Sequence, residues 1–147
     1  MSFGHLAHAK PSLEVGIVTG PHADVATFTS NAAIAAGQVV MLDITMTTVS
    51  DREKYVIAST AALGSTAIGV ALEAATGAGE LIRVCIAGYC ESVSCAAGVT
   101  AGESLYADNS GQVDDDAAAA TLPVFGVALS DLDGGTNTCT AYIFRRY

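Results

Sequence analysis

The stretch Ile68-Gly69-Val70-Ala71-Leu72-Glu73 returns near the C-terminus as Phe125-Gly126-Val127-Ala128-Leu129-Ser130. Ahead of each copy lies a second shared piece. Ile34-Ala35-Ala36-Gly37-Gln38-Val39-Val40-Met41-Leu42-Asp43 is answered by Val99-Thr100-Ala101-Gly102-Glu103-Ser104-Leu105-Tyr106-Ala107-Asp108. The anchors Gly37 and Gly69 are 32 residues apart, whereas Gly102 and Gly126 are 24 apart. The second copy is shorter by 8, and the gap falls around Arg52-Glu53-Lys54 and the Ala/Ser/Thr-rich stretch after it. Length changes of this kind belong to loops. Two copies are too few for a solenoid, so the pattern predicts one domain with internal pseudo-symmetry, its copies approximately 30–94 and 95–147. Gly69 and Gly126 should then occupy matching positions, with Val70 and Val127, and likewise Leu72 and Leu129, on one face of their strands.

The repeat is read as β-structure although Ala favours helix. Glycine punctuates nearly every ten residues, at about 1 kcal/mol each inside a helix. The apolar runs are short and bounded by turn residues: 39–42, 55–57, 67–72, 81–86, 89–93, 104–107, 124–129 and 138–144. Regular spacing of such runs predicts an all-β fold, a small sandwich or barrel. Asn109-Ser110-Gly111 and Asp131-Leu132-Asp133-Gly134-Gly135 read as turns. Ala58 to Ser65 is the first candidate for a helical turn, and Asp114-Asp115-Asp116 running into Ala117 to Ala120 the second.

Residues 1–29 stand outside the repeat. They hold all three histidines and two of the three prolines, Pro11 and Pro21. Proline fixes φ and lacks a donor, so this segment is expected to be an extended N-terminal arm, an edge strand at most. Glu14 to Thr19 is its one strand-like run. The β-domain is expected to occupy 30–147.

Composition narrows the function. The chain is 51% hydrophobic but only 6% aromatic, with no Trp, so its core is built from small side chains. A core of that kind is thin, and association with further copies is one way to complete it. A net charge of −9, from 6 basic and 15 acidic residues, argues against nucleic-acid binding. No signal peptide is read at Met1 to Lys10, and no window reaches the roughly 18 apolar residues of a membrane span.

Candidate chemistry is sparse. Cys85, Cys90 and Cys95 are five apart, with Cys139 distant, unlike the tight pairs of zinc sites, so they read as buried thiols, with a disulfide as the alternative. Asp131-x-Asp133-Gly134 begins like a calcium loop but lacks the third ligand and the distal Glu, which leaves an acidic turn. Gly77-Ala78-Gly79-Glu80 has no following Lys and is a turn. No catalytic motif is present, every histidine lies in the expected arm, and neither enzyme activity nor a metal or other cofactor is expected.

In their order and spacing, Ala36-Gly37-Gln38-Val39-Val40, Ile68-Gly69-Val70-Ala71, Gly79-Glu80-Leu81-Ile82-Arg83-Val84 with Gly88, Ala101 to Tyr106, and Phe125-Gly126-Val127-Ala128 form one pattern. Over roughly residues 30 to 144 this pattern resembles the small capsid decoration (cement, head-stabilising) proteins of tailed bacteriophages. The resemblance implies a tulip-like all-β fold, a homotrimer, and binding to the major capsid protein on the outer surface of an icosahedral head, with assembly in the host cytoplasm. No family residues transfer to the arm. From the local sequence, Met1 to about Lys10 is expected to engage the capsid, with Phe3 and Leu6 as apolar anchors and Lys10 as a rim charge. The readings of other classes are a carbohydrate-binding or adhesin-like surface module, which a glycan-array hit would favour, and a ring subunit of a tail tube, which would form hexamers or stacked rings.

Overall fold

The computed structural model describes residues 22–115 and 122–145. Among them the chain forms nine strands: β1 (Asp24–Ser30), β2 (Val39–Leu42), β3 (Tyr55–Ala58), β4 (Ala67–Ala71), β5 (Leu81–Ser94), β6 (Ser104–Ala107), β7 (Val113–Asp114), β8 (Gly126–Ala128) and β9 (Thr138–Ile143). Short 3₁₀ turns lie at Val49–Asp51, Ala61–Thr66 and Asn109–Gly111. The fold is all-β, as the glycine spacing and short apolar runs predict. No helix among the described residues is long and apolar enough to cross a membrane.

The first barrel has the strand order β1-β3-β2-β4-β5 and closes because β1 also pairs with β5. All its pairs are antiparallel except β1–β3, where Thr29 faces Tyr55 and Ser30 faces Val56. The second half runs β5-β9-β8-β6-β7. A parallel bridge between Cys95 and Val113 joins its two ends. The 14-residue β5 serves both halves: its first half pairs with β4 and β1, and Gly88 to Ser94 pair with β9.

The two halves correspond residue for residue. Val39–Val70 and Val40–Gly69 pairs in the first recur as Ser104–Val127 and Leu105–Gly126 in the second. The preceding turns match too: Gly37 N donates to Ala71 O at 2.8 Å and Gly102 N to Ala128 O at 2.8 Å, both glycines with φ near +90° (88° and 89°). The parallel closure recurs as well, with Asn31 N donating to Val56 O at 2.9 Å and Ala96 N to Val113 O at 2.8 Å.

Two apolar clusters follow from this. Phe28, Ile34, Val40, Val56, Ile68, Ala71, Ile82, Val84 and Ile86 fill the first barrel. Their counterparts Val93, Val99, Leu105, Val113, Phe125, Ala128, Cys139, Ala141 and Ile143 fill the second. That second cluster also takes in Val39, Ala67, Val70 and Cys85, which lie on the outside of the first barrel, so the halves pack into one body.

Several elements differ from expectation. Residues 24–30, mostly within the arm expected over 1–29, form β1, which closes the first barrel and buries Phe28 to 4% exposure. The runs 81–86 and 89–93 are one strand, because Gly88 takes φ +97° and lets the ladder bend without breaking. The helical turn expected at 58–65 is the 3₁₀ turn Ala61–Thr66. Val113–Asp114 is strand and Asp115 follows it, while residues 116–120 of the Asp/Ala segment lie outside the described residues, as does the run Glu14 to Thr19.

Candidate functional site

The four cysteines and the Asp131–Asp133 turn make contacts within the fold. All four cysteines are free and buried, each at 3% exposure or less. They form two contacts: Cys95 Sγ lies 3.0 Å from Cys139 Sγ, and Cys90 is hydrogen-bonded to Cys85. These hydrogen bonds, with burial, push the Cys90 and Cys95 thiols well above the ordinary thiol range. The Asp131–Asp133 turn spends its carboxylates on backbone: Ala101 N donates to Asp131 Oδ1 at 2.9 Å and Gly135 N to Asp133 Oδ1 at 2.9 Å. Among the described residues no group of three or more His, Cys, Asp or Glu could hold a metal ion.

What the fold presents instead is surface. Val124, Leu129, Tyr142 and Phe144 are exposed on β8–β9 and the segments beside them, with the Tyr142 and Phe144 rings 6.3 Å apart. Tyr142 alternates with the buried Ala141 and Ile143, so its ring stands on the outer side of β9. On the first barrel Val25, Ile44, Val49 and Leu81 are exposed. Leu129 is the clearest departure from a core reading of the repeated GVAL run: Leu72 is half-buried, whereas Leu129 is 48% exposed.

The N-terminal segment joins the body beside β9. Asp24, the first residue of β1, is ion-paired with Arg145 just past the end of β9. Gly88 allows the close approach: a Cβ there would lie 2.2 Å from His22 O. Phe3, Leu6 and Lys10 lie outside the described residues. The exposed residues of the second half went unnoticed in the sequence because they occupy the apolar positions of the repeat.

Two barrels built on one repeat present large apolar side chains at the surface. The sequence matches the phage cement protein family over residues 17–143. The chain belongs to that family. Its members are structural phage proteins, and the chain is accordingly a capsid-associated component of the virion. Among solved structures, the N base of the head fiber gp8.5 of bacteriophage phi29 has a similar fold, with a TM-score of 0.57 at 15% identity, covering 84% of this chain and 95% of that one. No curated protein matches this sequence.

Proposed function

We propose that the protein is a decoration protein: as a homotrimer it binds the major capsid protein on the outer surface of a phage head and stabilises the shell. Membership of the cement protein family is the observation that carries this reading. The net charge of −9 supports an outer position, since packaged DNA repels an acidic protein. The head, once assembled in the host cytoplasm, offers repeated sites, and three arms on one trimer engage neighbouring capsid subunits together, which raises occupancy without a tight single contact. The arm of each chain is Met1 to about Lys10, with Phe3 and Leu6 as anchors and Lys10 at the rim. Neither nucleic acid nor catalysis has a part in the role.

The experiment is co-sedimentation of purified protein with undecorated heads, for the full chain and for a chain lacking Met1 to Lys10. The full chain pellets with heads and saturates; the shortened chain remains folded and oligomeric but binds far more weakly. Equal binding by both would move the contact surface from the arm to the barrels, and absence of binding by the full chain would refute the decoration role.

A further inference from the structure

Within one chain the first barrel docks on the second through a defined set of contacts. The turn Gly37-Gln38 enters a notch between the β5 segment Ser92–Ser94 and the Asn109–Gly111 turn. Ser94 N donates to Gly37 O at 2.9 Å, and Gln38 Nε2 donates to Ser110 O at 2.8 Å. Gly111 leaves room for the Gln38 side chain, since a Cβ there would lie 2.8 Å from Gln38 Cβ. Beside this turn Val39, Ala67, Val70 and Cys85, each at 1% exposure or less, are buried in the cluster of the second barrel.

The residue equivalence that matches the two cores gives the second barrel the same docking face, and there it is open. Val124, Leu129 and Tyr142 stand where Ala67, Leu72 and Cys85 stand in the first barrel, and they are 37%, 48% and 41% exposed. The turn Gly102-Glu103 is exposed, whereas Gly37 is buried. A notch also exists on the first barrel: a cleft of about 370 Å³ lined by Ala26 to Thr29 of β1 and by Glu53 and Lys54. Lys54 holds there the position that Gly111 holds in the second barrel.

Glu103 of the turn and Lys54 of the cleft carry opposite charges, with Glu53 lining the same cleft. Gln38 accepts from Ala35 N at 2.8 Å through Oε1 and donates to its neighbour through Nε2. Glu103 likewise accepts, from Thr100 N at 3.3 Å, but its remaining oxygen can only accept. The same docking therefore needs a donor from the notch, and Lys54 Nζ is one. The carboxyl of Asp115 hydrogen-bonds to Glu103, which raises its pKa, and among the described residues no basic side chain lies within ion-pair range of either acid. Among the described residues the Lys54 ammonium pairs only with Asp51, at 3.6 Å, the kind of pair that contributes little and is readily exchanged.

We propose that the open face of the second barrel receives the first barrel of a second copy of this chain, head to tail, with the Gly102-Glu103 turn of one copy in the cleft between β1 and Lys54 of the next and Glu103 paired with Lys54. Such a head-to-tail contact forms a ring when its rotation closes and a filament when it does not; closure at three chains places six related barrels around the ring. The copies meet through side chains, because Thr29 N, unlike the equivalent Ser94 N, is already bonded to Lys54 O at 2.8 Å. The inference rests on the self-association reading above and is independent of capsid binding.

The test is a charge exchange: Glu103→Lys and Lys54→Glu, singly and together, followed by sedimentation velocity across micromolar concentrations, with thermal melting to verify folding. Each single variant faces like charges at the contact and raises the concentration for half-assembly by roughly tenfold or more, and the double variant restores the wild-type oligomer. Leu129→Glu, which leaves the charge pair intact, also dissociates the ring. Single variants that assemble like wild type, or a double variant that stays dissociated, overturn the proposed contact while leaving the trimer standing. A wild-type chain that is monomeric both in solution and on heads overturns the contact and the trimer together, without bearing on whether heads are bound.

Discussion

Gly69 and Gly126 occupy the same point of two successive barrels. Gly69 faces Val40 on β2, and a Cβ on it would lie 2.2 Å from Cys85 O; Gly126 faces Leu105 on β6, and a Cβ on it would lie 2.4 Å from Tyr142 O. In each case the obstacle is neighbouring backbone, which cannot rotate away. Gly69→Ala and Gly126→Ala should therefore each destabilise the fold by about 1–3 kcal/mol, the range for overpacking a tight core. Urea unfolding of both variants measures this, and an unchanged midpoint in either would deny the equivalence.

Phe125 and Leu129 lie in one repeated run yet should respond oppositely to truncation. Phe125 is 0% exposed and fills the second barrel, so Phe125→Ala should cost about 3–5 kcal/mol. Leu129→Ala, at a 48% exposed position, should change monomer stability by no more than about 0.5 kcal/mol. Denaturant curves in the dissociated state separate the two, and similar losses would mean that Leu129 is a core residue.

This contrast shows what the sequence could reveal. The repeated Gly and β-branched runs expose β2, β4, β6 and β8, because a period of two with glycine at a strand crossing is a local signal. β1 escapes, since in Asp24-Val25-Ala26-Thr27-Phe28-Thr29-Ser30 only Phe28 is a large buried side chain, and Pro21 just ahead suggests irregular chain. β7 escapes because two residues carry no periodicity. The exposed face of β8 and β9 escapes for another reason: Val124, Leu129 and Tyr142 are apolar like their counterparts in the first barrel, and only the three-dimensional arrangement shows that they are exposed. Phe3, Leu6 and Lys10 are proposed as capsid contacts from side-chain chemistry alone.

Asp43 makes stability depend on acid. It is 1% exposed, and burial by itself would raise its pKa. Donation from Thr45 Oγ1 at 2.6 Å, Asn31 Nδ2 at 2.7 Å and Thr45 N at 2.9 Å outweighs that effect and lowers it. A carboxyl whose folded pKa lies below its unfolded value contributes fully above the latter, about 3.9, and loses that contribution as pH falls through the folded value. Asp43→Asn should lower stability at pH 7 by about 1–3 kcal/mol and shrink the loss between pH 4 and pH 2. Melting temperatures across that window check it; an acid limb as steep as wild type would exclude Asp43 as a contributor.

The buried thiols should be inert in the native protein. Reaction requires a thiolate that the reagent can reach; pairing raises the pKa of Cys90 and Cys95 and lowers that of their partners Cys85 and Cys139, but all four side chains are buried at 3% exposure or less. A colorimetric thiol reagent at pH 8 should titrate none of the four within minutes natively and all four in denaturant. Rapid native reaction of even one would place it at the surface.

The most direct test of the account is imaging undecorated heads by electron cryomicroscopy after incubation with the purified protein. The account predicts added trimeric density on the outer shell, with the N-terminal segment of each chain reaching the major capsid protein. Heads whose outer surface is unchanged at saturating protein, or density confined to the interior, would contradict it.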